Sequence, residues 1–195
     1  KSLENHEWRQ RRCINLIPSE MTQSSLVRLL QISDPCGRYA EHKELLAAFE
    51  QEVFYYQGTE FIEWVEERLV EEMRDFLGCP HVETRVISGQ MANMTVFSAL
   101  VDFRNRTERR REPGRLPLVM NNHIGKGGHL SSQPMGALRD YIAKDPVTEK
   151  YAVLNFPVRQ DNPYRIDLEI TAGLLERYDP ELIILGKSMI LHPEP

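Results

Sequence analysis

Ser88-Gly89-Gln90 lies between the β-branched run Val82–Ile87 and a helix-compatible segment, a pattern able to hold an anion. A strand that turns directly into a helix leaves first-turn N–H groups without acceptors, and the helix dipole favours negative charge there. Ser88 adds a hydroxyl, and Gly89 lets a ligand approach the backbone. The plainer reading is a serine-capped connection with no ligand. A second cluster, Asn122–Leu130, carries His123 and His129 among Gly125, Gly127 and Gly128. An imidazole can stack on a flat heteroaromatic ring or move a proton near neutral pH. The cluster lacks i, i+4 spacing and a nearby cysteine, so no metal site is expected. In Arg38-Tyr39-Ala40-Glu41-His42 a phenol, a carboxyl and an imidazole fall together. Glu41 could serve as a general acid or base, although an isolated carboxylate is usually only solvated. Tyr55-Tyr56-Gln57-Gly58 pairs two phenols where packing is the commoner use.

These residues need a scaffold. Lys1–Arg12 reads as a polar arm, Thr22–Gln31 as a short helix, and Glu44–Tyr55 as helical. Glu60–Leu77 is the clearest helix, with Phe61, Val65, Leu69, Met73 and Phe76 as a buried stripe and Gly78 and Pro80 as its stop. From Val82 the pattern alternates. Strands are expected at Val82–Ile87, Leu116–Met120, Tyr151–Phe156 and Leu182–Leu185. Helices are expected at Gln90–Phe103, Met135–Ile142 and Leu168–Tyr178. The first of these should set Met91, Met94, Thr95, Ser98 and Val101 on one side. Such alternation predicts an α/β fold with a mostly parallel sheet. Ligands of such sheets bind beyond the carboxyl ends of the strands, where Ser88, His123–His129 and Lys187–Ser188 would converge.

The net charge of −5 gives no reason to expect a nucleic acid or an anionic membrane as partner. No run is apolar for long enough to span a bilayer. Three widely spaced cysteines, Cys13, Cys36 and Cys79, fit reduced thiols of a cytoplasmic protein. Arg104–Arg115 reads as a solvated loop, its arginines interrupted by Glu108, Glu112 and Pro113-Gly114. A first residue other than Met and an end just after a strand-like segment suggest a piece of a longer polypeptide.

Taken in order, the clusters resemble the N-terminal half of serine hydroxymethyltransferase, a pyridoxal-phosphate enzyme of fold type I. Leu16-Ile17-Pro18-Ser19-Glu20-Met21 is similar to that family's Leu-Ile-x-Ser-Glu-Asn. Arg38-Tyr39-Ala40-Glu41-His42 resembles Lys-Tyr-Ala-Glu-Gly, and Tyr55-Tyr56-Gln57-Gly58-Thr59-Glu60 resembles Tyr-Tyr-Gly-Gly-x-Glu. Ser88-Gly89-Gln90-Met91-Ala92-Asn93 resembles Ser-Gly-Ser-x-Ala-Asn, and Gly127-Gly128-His129-Leu130-Ser131 resembles Gly-Gly-His-Leu-Thr. Leu185-Gly186-Lys187-Ser188 resembles the strand that ends in Gly-x-Ser. The likeness runs from about Ile14 to Ser188.

That resemblance implies an N-terminal helical arm followed by part of an aminotransferase-like sheet. Residues 1–80 would contribute to a dimer and its active site, and 81–195 would be an incomplete cofactor-binding domain. Ser88, Gly89 and Gln90 would hold the phosphate of pyridoxal 5'-phosphate, His129 would stack on its ring, and Ser188 would lie near its phenolic oxygen. Ser19 would touch the substrate carboxylate, Glu41 would handle the proton at the β-hydroxyl, and Tyr39 and Tyr56 would line the substrate site. Glu41, His129 and Tyr56 are the catalytic candidates. In the family the Tyr-Ala-Glu and Tyr-Tyr segments serve the partner subunit's site, which implies a homodimer or higher homo-oligomer. The implied substrates are serine, threonine or glycine.

Departures from the family pattern leave the acceptor open. The lysine-bearing Thr-Thr-His-Lys segment and the Asp-x-x-His that pairs with the pyridine nitrogen would lie beyond Pro195. Gln90 stands for the second serine of the phosphate loop. His42–Phe54 replaces the family's Gly-Tyr-Pro-Gly-Lys-Arg, which alters the tetrahydrofolate side. A folate-using hydroxymethyltransferase and a threonine transaldolase that passes glycine to an aldehyde both fit, with the altered segment inclining toward the second. A catalytically inactive homologue used as a binding or assembly subunit is the alternative from another class.

Overall fold

The computed structural model describes residues 1–17, 19–40, 42–44, 52–108 and 114–193, in two compact units, Lys1–Thr84 and Arg85–Pro195. The first unit contains α1 (Ser2–Arg11), α2 (Ser25–Leu30), the antiparallel pair β1 (His42–Glu44) and β2 (Glu52–Phe54), and α3 (Glu60–Leu77). The arm is therefore helical. Glu7 and Arg11, one turn apart in α1, pair at 3.2 Å. Ser24 caps α2 by accepting from the Val27 N–H at 3.2 Å.

Caps define α3. Glu60 and Glu63 lie in its first turn, where the dipole favours acids, and Gly78 ends it in the left-handed conformation at φ 63°. The stripe expected to be buried is not. Phe61, Val65, Leu69 and Phe76 are exposed, and Met73 is half-buried. Helical periodicity specifies an apolar face, but not what covers it. Thr59 is the one buried residue among the described residues of this unit.

A helix over Glu44–Tyr55 does not form at its described ends. Glu44 pairs with Glu52 in β1–β2, and residues 45–51 lie outside the described residues. Val53 and Phe54 favour extended backbone, and the facing strand supplies the hydrogen bonds that a helix would otherwise provide.

The second unit contains α4 (Gly89–Glu108), β3 (Val119–Asn121), β4 (Val153–Asn155), α5 (Leu168–Tyr178) and β5 (Leu182–Ile184). The strands form a parallel sheet in the order β4-β3-β5, with Val119 level with Val153 and Leu182. The sequence-based expectation of a parallel α/β arrangement is met here. The central strand is fully buried, as expected where both faces of a parallel sheet are covered. Val119 packs with Phe97 of α4, Leu116, Leu138 and Ile142. Its neighbour Met120 packs on Phe156 and Ile166, against Leu174 and Leu175 of α5. Successive residues thus face opposite layers.

Three expected elements change. Residues 82–87 form no strand among the described residues; a β-branched run still needs a partner to become a ladder. In place of a helix over Met135–Ile142 there is a 3-10 turn, Ala137–Asp140. Pro134 and the non-helical backbone of Gly136, at φ −115° and ψ −140°, interrupt the periodic pattern there. Finally, α4 continues through Glu108, so Arg104 is helical rather than in a loop, and it pairs with Glu181. Residues 109–113 of the expected loop lie outside the described residues.

The buried face of α4 is also rotated from the expected one. Phe97 is buried, with Leu100 and Val101 packed beside it, whereas Met91, Met94, Thr95 and Ser98 are exposed. The helix is apolar on more than one side, and the sheet selects which side it covers. Asn93, one turn before Phe97, is carried inward by the same rotation.

Candidate active site

Ser88 opens α4. Its Oγ accepts from the Met91 N–H at 3.1 Å, and its carbonyl accepts from the Ala92 N–H at 3.0 Å. The N–H groups of Gly89 and Gln90 are the two first-turn donors that remain without an intrahelical acceptor. As an acceptor from Met91, Ser88 keeps its own O–H free to donate outward. The expected capped turn is present, although no strand leads into it.

From the first turns of α4 a chain of side chains runs to the glycine–histidine loop. Asn93 Nδ2 donates to Ser131 Oγ at 2.6 Å, and Ser131 Oγ lies 2.6 Å from His129 Nδ1. The imidazole is exposed, and it caps the 3-10 turn Leu130–Ser132 by accepting from the Ser131 N–H at 3.1 Å. His123 makes a similar cap, accepting from the Gly125 N–H at 3.0 Å.

The loop after β3 is tied to the segment after β5. The His129 N–H donates to the Gly186 carbonyl at 2.9 Å, and the Ser188 N–H to the Gly127 carbonyl at 2.8 Å. Gly128 and Lys187 form an antiparallel bridge. His129 and Ser188 therefore share the carboxyl-end rim of the sheet, the edge where ligands of such sheets bind. Lys187 Nζ donates to the Tyr164 carbonyl at 2.9 Å.

Beneath the rim lies a buried polar layer for which the sequence offered only weak signals. Asn121 Nδ2 donates to the Ser132 carbonyl at 2.5 Å, and Asn121 Oδ1 accepts from Asn155 Nδ2 at 2.6 Å. Asn122 Oδ1 accepts from the Gly186 N–H at 3.0 Å, and Gln133 Nε2 donates to the Asn122 carbonyl at 2.8 Å. The only sequence signal was two asparagines at the end of an apolar strand, followed by Ser131-Ser132-Gln133. Asn121→Ala is expected to destabilise the protein by about 2–3 kcal/mol, because it leaves the buried Ser132 carbonyl and the half-buried Asn155 amide unpaired, a buried group costing ~1–3 kcal/mol and a half-buried one less. Urea unfolding checks this, and a change within ~0.5 kcal/mol would contradict it.

The other candidates belong to the first unit. Tyr39 and Tyr56 stack with ring centroids 5.4 Å apart and planes 28° apart, and both are exposed. The Tyr56 carbonyl accepts from buried Thr59 Oγ1 at 3.1 Å, which anchors the second tyrosine at the start of α3. Ser19 sits in an exposed turn, next to Glu20, which pairs with Arg9 at 2.6 Å. Pro18 and Glu41 lie outside the described residues. The three cysteines are free, and among the described residues no group of three or more His, Cys, Asp or Glu is arranged to hold a metal ion. No described helix is long and apolar enough to cross a membrane.

The second unit is thus a parallel α/β sheet whose carboxyl rim carries the histidine loop, the edge at which ligands of such sheets bind. The family model for serine hydroxymethyltransferase matches residues 1–192, and the chain belongs to that family. Relatives named serine hydroxymethyltransferase include that of Pyrobaculum calidifontis, 34% identical over 99% of this chain and 38% of the relative. That of Staphylothermus marinus is 31% identical over 98% of this chain and 37% of the relative. That of Sulfolobus acidocaldarius is 28% identical over 98% of this chain and 38% of the relative. The chain thus spans under two-fifths of the length of these relatives.

Proposed function

We propose that the full-length protein binds pyridoxal 5'-phosphate and cleaves or forms the Cα–Cβ bond of small β-hydroxy amino acids. The observation that carries this reading is the hydrogen-bonded chain from Asn93 of α4 through Ser131 to the exposed His129 imidazole. It joins a helix start with open N–H donors to a flat ring. These groups fit a planar ligand with an anionic tail. When bound, the cofactor supplies an electron sink for the pair released at Cα.

The chain's own residues do the rest. The Gly89 and Gln90 amides, with the Ser88 hydroxyl, hold the phosphate, the helix dipole adding to their attraction. His129 covers one face of the ring and fixes its plane. Ser188, held by Gly127 on the same rim, donates to the phenolic oxygen. Ser19 holds the substrate carboxylate, and Tyr39 and Tyr56 shape the substrate site. Glu41 holds or moves the proton at the β-hydroxyl. Residues 1–80 serve as an arm that contributes to a homodimer and its sites, and residues 81–195 are part of the cofactor domain. A cytoplasmic location goes with this reading.

For the acceptor, the name shared by the relatives favours hydroxymethyl transfer with tetrahydrofolate. The altered His42–Phe54 segment keeps an aldehyde, and transaldolase chemistry, as the second reading. The test is visible absorbance. Full-length protein mixed with the cofactor should become yellow, and His129→Ala should weaken cofactor binding about tenfold, the loss of one stacking contact. A colourless protein would favour an inactive homologue. Folate-stimulated serine cleavage supports the first acceptor, and acetaldehyde release from threonine the second.

A further inference from the structure

We propose that Asn93 and Ser131 are positioning residues that hold the His129 imidazole in one orientation, as the tautomer with its proton on Nε2. The use of that ring rests on the cofactor reading above; the proton assignment follows from hydrogen-bond directions alone. The Ser131 backbone N–H can only donate, and its acceptor is His129 Nδ1 at 3.1 Å. Nδ1 therefore presents a lone pair. Ser131 Oγ lies 2.6 Å from the same atom, and only its hydrogen can meet a lone pair there. The hydroxyl hydrogen is thus committed to the imidazole.

Ser131 is 3% exposed, so its oxygen must find a donor inside the protein. Asn93 lies 2.6 Å from that oxygen and must present Nδ2. One backbone donor sets the direction of the whole relay, from Asn93 to Ser131 to His129. In the neutral ring the proton then resides on Nε2, the nitrogen away from this relay.

Rotation of the ring would break both bonds to Nδ1, so the plane is held as well as the proton. A cationic ring would set an Nδ1 proton against the Ser131 N–H. The relay therefore turns Nδ1 inward and, in the neutral ring, leaves a single donor at Nε2. His123 offers an internal comparison: it has the backbone cap from Gly125, but among the described residues no side chain reinforces it.

The experiment is a long-range proton–nitrogen correlation spectrum of full-length protein labelled with 15N-histidine, with and without pyridoxal 5'-phosphate. His129 should show a pyridine-like Nδ1 and a pyrrole-like Nε2 in both. Asn93→Asp turns the donor into an acceptor and draws the Ser131 hydroxyl away, leaving the backbone N–H as the one donor of the relay at Nδ1, so Nδ1 should shift partway toward the averaged value. Ser131→Thr keeps the hydroxyl and should keep the wild-type pattern, whereas Ser131→Ala keeps only the backbone donor and should shift Nδ1 partway toward the averaged value. A wild-type proton on Nδ1, or a pattern unmoved by Asn93→Asp, overturns the inference. A protein with the expected tautomer that binds no cofactor would sink the proposed function and leave this assignment standing. Cofactor binding with the proton on Nδ1 would do the reverse.

Discussion

Gly128→Ala is expected to unseat the histidine loop and to destabilise the second unit by about 3 kcal/mol or more, the upper end for forced overpacking. A Cβ at this position would lie 2.2 Å from the Asn122 carbonyl oxygen and 2.8 Å from that of His123. Both are backbone atoms at the end of the central strand, so no side chain can swing aside. Gly128 also bridges to Lys187, and the next residue donates to Gly186. Moving the loop would therefore separate the ends of β3 and β5 and displace His129 and Ser188 together. Gly173→Ala is the control. It lies in α5 with open space around its Cβ position, so a gain of about 0.5–1 kcal/mol is expected from helix propensity. Thermal or urea unfolding of both variants, with cofactor titration, makes the comparison. A Gly128→Ala protein as stable as wild type would contradict the packing described for the rim.

Glu41→Gln in the full-length protein is expected to slow cleavage of β-hydroxy amino acids by about 10²–10⁴-fold, the usual contribution of a general acid or base. The substitution keeps the side chain's shape and removes its ionisable proton. Cofactor absorbance should be unchanged, because the phosphate and ring contacts are assigned to α4 and the histidine loop. The split between turnover and binding is the informative part. Unchanged turnover would remove Glu41 from the mechanism, and loss of cofactor would give it a structural role instead.

The elements legible in the sequence were those whose signals are local. The helix Glu60–Leu77 had an apolar stripe and Gly78 at its end, and at Leu168–Tyr178 the structure adds a cap, Asp167 accepting from the Ile170 N–H at 3.1 Å. Three of the four expected strands lie within or overlap the parallel sheet, because buried parallel strands read as apolar runs. What failed depended on partners distant in sequence. Residues 82–87 had strand-forming side chains but no ladder, and the ends of Glu44–Tyr55 found each other instead of a helix. The face of α4 was decided by the sheet, which took Phe97 rather than Met94. The candidate site was legible as single groups: Ser88, His129 and Ser188. Its wiring was not, since Asn93, Asn121, Asn122, Ser131 and Gln133 look like ordinary loop and helix-surface residues until the fold buries or pairs them.

The most direct measurement is a crystal structure of the full-length protein with pyridoxal 5'-phosphate. Phosphate oxygens are expected within about 3 Å of the Gly89 and Gln90 amides and the Ser88 hydroxyl, with the His129 ring lying parallel to the pyridine. A phosphate bound elsewhere, with the start of α4 facing only solvent, would contradict the cofactor reading.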